Sequence, residues 1–233
     1  MRLFKGILAA IRGRRNEEFG LDALRTFLPK HRYNYPLLSA LLLCLGRRVK
    51  DVGRKADIVD FGGSLGVSWF QNHTLLDGFL GRYGVVEQKC VADLGRAEVP
   101  EVEFFYTIEE CLAAGLSRDV CVLSSVLQYL DDPLRIVDEI IDAGFCNVIV
   151  DRGLFATKSV PPRIAIQYLR GKNTGQYPIS IMERKDVLSK FLTRGYSLVS
   201  EWESFDVMPV KVGCRAINLQ SQGFLVSREC SSM

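Results

Sequence analysis

The stretch Val59-Asp60-Phe61-Gly62-Gly63-Ser64-Leu65-Gly66 decides how this chain is read. It continues an apolar run through Ile58 and leads into Val67-Ser68-Trp69-Phe70. An acidic residue at a strand end, a glycine-rich turn and a helix start together form a corner of nucleotide size. The first N–H groups of a helix lack internal partners, and glycine lets the backbone approach a ligand closely. Taken alone, the same glycines could merely let a helix pack against a strand.

Outward from that corner the pattern alternates. Short β-branched or aromatic runs occur at 56–61, 83–87, 103–106, 120–124, 147–151, 198–203 and 224–227. Helix-like segments lie between most of them, at 68–80, 108–114, 133–143 and 184–194. This alternation predicts an α/β fold with a mostly parallel sheet and helices on both faces. No helix-length pattern separates the last two runs, so they close the sheet as an antiparallel pair. Five parallel strands with a two-strand reversed edge make a seven-stranded sheet. Ahead of it, Tyr35–Leu45 reads as a helix with Pro36 in its first turn and Gly46 just past its end. The expected organisation is an N-terminal helical cap over 1–55 and one domain over 56–233.

Composition narrows the function classes. A net charge of +3 with 24 % charged residues carries no localised nucleic-acid signature. Seven scattered cysteines without a C-x-x-C pair predict reduced, buried thiols in a cytoplasmic protein. Only His31 and His73 are present, which argues against a zinc site and against Ser-His-Asp or Cys-His hydrolysis. The basic opening from Met1 to Arg15 has too short an apolar core to span a bilayer and no small-residue cleavage site. It reads either as an amphipathic helix touching an anionic membrane surface or as a packed helix with solvated arginines.

Ligands of open α/β sheets bind at the carboxyl ends of the strands. There the chain places Asp60 and the glycine turn, then Glu87, about 20 residues past the turn, where a carboxylate can meet ribose hydroxyls. Next come Leu123-Ser124-Ser125-Val126-Leu127-Gln128-Tyr129-Leu130-Asp131-Asp132-Pro133 and, after the fifth strand, Asp151-Arg152. Together these residues resemble class I S-adenosylmethionine-dependent methyltransferases, and more narrowly a bacterial group found with polysaccharide-assembly genes. The resemblance runs from about Tyr35 to Arg228. One departure is Ser64, where the commoner pattern has glycine and this chain has moved the extra glycine to Gly63.

The resemblance implies a Rossmann-like fold, S-adenosylmethionine as cofactor and transfer of its methyl group to a small-molecule or glycan-linked acceptor. It implies that Asp60, Phe61, Gly62, Gly63, Ser64 and Gly66 approach the methionine part, with Asp60 ordering its amino group. Glu87 would take both ribose hydroxyls, Tyr106 and Thr107 would border the adenine, and Ser124 and Ser125 would pass beneath the sulfonium. Methyl transfer depends heavily on alignment, and a base helps when the nucleophile must lose a proton. The candidates for catalysis are Asp151 as base and Gln128 and Tyr129 as positioning groups; Asp151 could equally be a structural partner of Arg152.

Between the fifth strand and the next helix, an insertion of about 153–182 is long enough to be a lid over the acceptor. Arg163, Arg170 and Lys172 there, with Arg152 just before it, suit an anionic sugar derivative, or else form a solvated basic face. Two other readings stay open. One is a non-catalytic relative acting as a scaffold. The other is a nicotinamide-dependent oxidoreductase on nucleotide sugars, favoured only by the Tyr168-x-x-x-Lys172 spacing. G-x-G-x-x-G fails at Ser64 and Val67.

Overall fold

The computed structural model describes residues 34–156, 163–169, 175–212 and 215–229. Five strands run parallel in the order β3 (Glu103–Phe105), β2 (Leu80–Val86), β1 (Ala56–Phe61), β4 (Val120–Ser124) and β5 (Asn147–Ala156). Their side chains alternate between two cores, as the two-residue period of a strand requires. Ala56 and Ile58 with Tyr83, Val85 and Ile149 face one side. Val59 and Phe61 with Val86, Leu123 and Val150 face the other. The first core is covered by α1 (Tyr35–Val52), α2 (Val67–Leu76) and α3 (Lys89–Glu98). The second is covered by α4 (Ile108–Ala113), α5 (Pro133–Ala143) and α6 (Arg184–Leu192).

Among the described residues the sheet has nine strands, two more than expected. β9 (Arg215–Ser227) runs antiparallel to β5, and β8 (Ser197–Val212) runs antiparallel to β9. Hence, of the two closing strands, β9 is reversed while β8 is aligned with β1 to β5. The two extra strands are the hairpin β6 (Arg163–Leu169) and β7 (Gly175–Glu183), within the segment read as an insertion. β7 pairs with the end of β5 through Phe155 and Ala156, and β6 pairs with the far half of β8 through Ile166 and Gln167. Strands β5, β7, β6, β8 and β9 therefore close a ring beyond the parallel sheet. Its small apolar core is Leu154, Ala165, Ile179, Ile181, Val210 and Leu219. Pro161, Pro162, Gly171 and Pro178 punctuate this stretch and hide its strand alternation.

Helix α1 does not stop at Gly46. It starts at the cap Asn34, whose side chain accepts from Leu37 N, and ends at Gly53 in the left-handed region with φ 74°. Glycine inside a helix costs about 1 kcal/mol relative to alanine. Packing overrides this, because Leu37, Leu38, Leu41, Cys44 and Leu45 bury one continuous face on the sheet. The segment expected as a cap thus contributes to the main core. Helix α3 carried no apolar stripe in the sequence, since its buried residues are only Ala92 and Gly95. Gly95 is needed there because a Cβ would strike the ring of Phe104.

The cysteine reading needs two corrections. Cys44, Cys111 and Cys121 are free and buried, but Cys90 is exposed on α3, and Cys146 is disulfide-bonded. Among the described residues, no helix is long and apolar enough to cross a membrane, and no group of three His, Cys, Asp or Glu could hold a metal ion. His31 and the basic segment 1–15 lie outside the described residues.

Candidate functional site

The carboxyl ends of β1, β2, β4 and β5 converge, with each chain turn tied to its neighbour. Gly62 N donates to Val86 O at 2.8 Å, Glu87 N to Phe105 O at 3.0 Å and Ser125 N to Asp151 O at 2.8 Å. Gly62 and Gly66 have φ of 74° and 82°, the left-handed region that glycine tolerates. At Gly63 the demand is close approach, for an added Cβ would lie 2.6 Å from the Asp60 carboxylate. Three non-glycine residues also have positive φ: Ser64 at 55°, Ser125 at 55° and Arg152 at 50°. Ser64 and Ser125 follow the ends of β1 and β4, and Arg152 lies within β5 at the irregularity between Val150 and Gly153. Such conformers cost about 1–3 kcal/mol each and gather where a surrounding site imposes them.

Two acids anchor the glycine turn. Asp60 is 1 % exposed and accepts from the Tyr83 hydroxyl at 2.7 Å and from the Ser68 side chain. Burial pushes its carboxyl up to about 6, against the opposing pull of those two hydrogen bonds. Glu87 accepts from Ser64 N at 3.2 Å on one oxygen and from Gln88 N at 2.8 Å on the other. Burial raises its carboxyl as well, and the two backbone bonds oppose the rise. One bond per oxygen leaves lone pairs for two further donors.

The other expected cofactor residues are differently placed. Phe61 turns its side chain into the α4–α6 core, so only its backbone belongs to the turn. Tyr106 donates to Asp93 at 2.5 Å and lies beneath the guanidinium of Arg96, 4.2 Å from its ring centre. Thr107 caps α4 by accepting from Glu110 N at 3.2 Å. Ser124 Oγ donates to Asp151 Oδ2 at 2.9 Å.

Asp151 is fully buried and gathers three donors. These are Asn34 Nδ2 at 2.7 Å, Ser124 Oγ at 2.9 Å and Trp202 Nε1 at 3.1 Å, with Arg152 Nε at 3.5 Å. They arrive from the start of α1, the end of β4 and the first half of β8. A carboxylate so engaged is suited to fix these segments, not to collect a proton from a substrate. Gln128 is fully buried, donates to Ser125 Oγ at 3.2 Å and has no partner on Oε1 among the described residues. Tyr129 donates to Gln167 Oε1 on β6 at 2.9 Å, docking the ring of strands against the short 3₁₀ turn Leu127–Tyr129. The Arg152 side chain is 41 % exposed, with Nη2 3.3 Å from Ser124 Oγ. Arg163 begins β6, whereas Arg170 and Lys172 lie outside the described residues. Tyr168 is on a strand, so the Tyr-x-x-x-Lys spacing does not put its two members one helical turn apart.

Sequence reasoning missed Tyr83, Asn34, Trp202 and Gln167. For Tyr83 there was a signal, since it alternates with Val85 and Glu87 on one strand face. The others needed long-range contacts.

No protein family and no curated protein matches this chain in sequence. Solved structures do match. CalS10, an amino pentose methyltransferase from Micromonospora echinaspora with bound S-adenosylmethionine, superposes with a TM-score of 0.55 at 10 % identity, over 93 % of this chain and 100 % of its own. Magnesium protoporphyrin IX methyltransferase from Synechocystis PCC 6803, with bound S-adenosylhomocysteine, gives 0.49 at 11 % identity over 91 % and 95 %. A pericyclic reaction enzyme gives 0.49 at 13 % over 81 % of this chain, which spans only 47 % of that protein's length. At these identities the likeness is one of architecture: this chain has the Rossmann-like α/β fold seen in an S-adenosylmethionine-bound methyltransferase.

Proposed function

We propose that the protein is an S-adenosylmethionine-dependent methyltransferase acting on a small-molecule or glycan-linked acceptor, with an oxygen of an anionic sugar derivative as the favoured target. The observation that carries this reading is Glu87, whose two oxygens each keep acceptor capacity beside a turn that a Cβ at Gly63 would disrupt. That donor and acceptor set fits a ribose and an amino-acid tail. The fold it shares with CalS10, a methyltransferase of an amino sugar, supports the same class.

Bound S-adenosylmethionine supplies an electrophilic methyl group on a sulfonium. Glu87 holds the ribose hydroxyls, the Gly62–Gly66 turn with Asp60 receives the amino-acid tail, and Ser124 and Ser125 form the floor. Tyr106 and Thr107 border the adenine through ring edge and backbone, their polar groups being engaged elsewhere. Asp151 keeps Asn34, Ser124 and Trp202 in place, so it serves alignment and not proton removal. Gln128 and Tyr129 line the acceptor route, while Arg152, with Arg163, Arg170 and Lys172 further along the chain, provides positive charge for an anionic group. Membrane contact through residues 1–15, a cytoplasmic location and a place in polysaccharide assembly belong to this proposal too.

Isothermal titration with S-adenosylmethionine, S-adenosylhomocysteine, NAD and NADP tests it. Saturable binding of the sulfur compounds alone is expected. Silence toward all four would favour a scaffold, and a response to NAD or NADP alone would favour an oxidoreductase.

A further inference from the structure

We infer that Tyr83 is a positioning residue for the cofactor corner: by donating its hydroxyl to Asp60, it holds that carboxylate ionised beneath the glycine turn and sets the pH range over which the corner accepts a cationic amino group. The inference rests on the methyltransferase reading above and adds a residue and a regulation to it.

Tyr83 and Asp60 meet because of strand register. In the β1–β2 pairing Ile58 lies opposite Tyr83 and Asp60 opposite Val85, so the two side chains are diagonal neighbours on the same face. Both are buried, at 5 % and 1 % exposure. The bond between them is 2.7 Å long. A buried carboxylate without a cation in contact is costly, and its ionised form depends on such donors. The surroundings are otherwise unhelpful. Ser68 from α2 adds a second neutral donor, Glu87 from β2 opposes ionisation, Arg152 from β5 favours it from a distance, and the buried thiol of Cys121 comes from β4. Gly63 lies directly over the carboxylate. A proton on Asp60 would therefore alter both the charge offered to an amino group and the support of the turn.

S-adenosylhomocysteine is a suitable probe because it carries the same amino group and needs no acceptor. Its affinity for the wild type is expected to fall as pH drops through about 6, where Asp60 takes up a proton. In Tyr83→Phe, which keeps the ring and removes the donor, the midpoint of that fall should move up by about one pH unit, with affinity above pH 8 within threefold of wild type. Ser68→Ala should move it the same way by less, and it serves as the second variant should Tyr83→Phe unfold. Glu87 titrates in every variant, so it drops out of the difference. Binding with an unshifted midpoint in both variants overturns the role of Tyr83 alone. Absence of binding by the wild type from pH 5 to 8.5 overturns the cofactor reading and this inference together.

Discussion

Two buried aspartates at opposite edges of one sheet are treated in opposite ways. At the amino edge, Asp119 takes two bonds from Arg54, at 2.7 and 2.9 Å, an ion pair with Arg48 at 2.7 Å, and Asp57 N at 3.0 Å. At the carboxyl edge, Asp60 is as deeply buried and receives only neutral donors. The first arrangement neutralises its charge and locks α1, β1 and β4 together. The second leaves its charge incompletely matched, a mismatch that the proposed cationic amino group would complete. Burial alone therefore does not separate structural acids from functional ones; the charge of the partners does.

The largest effect expected from testing this contrast is at the amino edge. Asp119→Ala strands Arg48 and Arg54 and frees the N–H of Asp57. It should cost roughly 2–4 kcal/mol in denaturant unfolding, somewhat below a fully buried pair because Arg54 is partly exposed. The molecules that remain folded should bind S-adenosylhomocysteine with unchanged affinity. A loss of affinity without a loss of stability would erase the distinction between the two edges.

At the carboxyl edge the converse holds. Glu87→Ala should weaken S-adenosylhomocysteine about 10- to 100-fold, the range for losing hydrogen bonds to a charged group. Its melting temperature should stay within a few degrees, since burial already disfavours the ionised carboxylate. Calorimetry and a thermal melt on the same sample decide it, and unchanged affinity would remove Glu87 from the site.

The smallest effect concerns neither edge. Gly46→Ala fills a solvent-facing helical position with nothing within 4 Å of the new Cβ. It should stabilise the fold by about 0.5–1 kcal/mol and leave ligand binding untouched. Destabilisation would mean that another surface covers this position.

The glycine corner could be read in the sequence because its parts are local. Asp60, Gly62, Gly63 and Gly66 lie within one turn, and Glu87 ends the next strand. Helix α5 was equally legible, with Asp132 capping it, Pro133 opening it and Gly144 closing it in the left-handed region. The acceptor side was not legible. Asp151 read equally as a base or as a structural partner of Arg152, yet its partners Asn34 and Trp202 are 117 and 51 residues away. The same holds for Tyr129, whose role depends on Gln167 and so on a hairpin hidden by prolines and glycines.

By itself, then, the sequence determined the alternating α/β order, the glycine turn and the acid that follows it, because backbone geometry and side-chain period act over a few residues. Only the tertiary structure decided the opposite directions of β8 and β9, the closed ring of β5 to β9, the anchoring of Asp151 and the support of Asp60 by Tyr83. Those depend on which strands become neighbours and in what register, and that is set by burial across the whole chain.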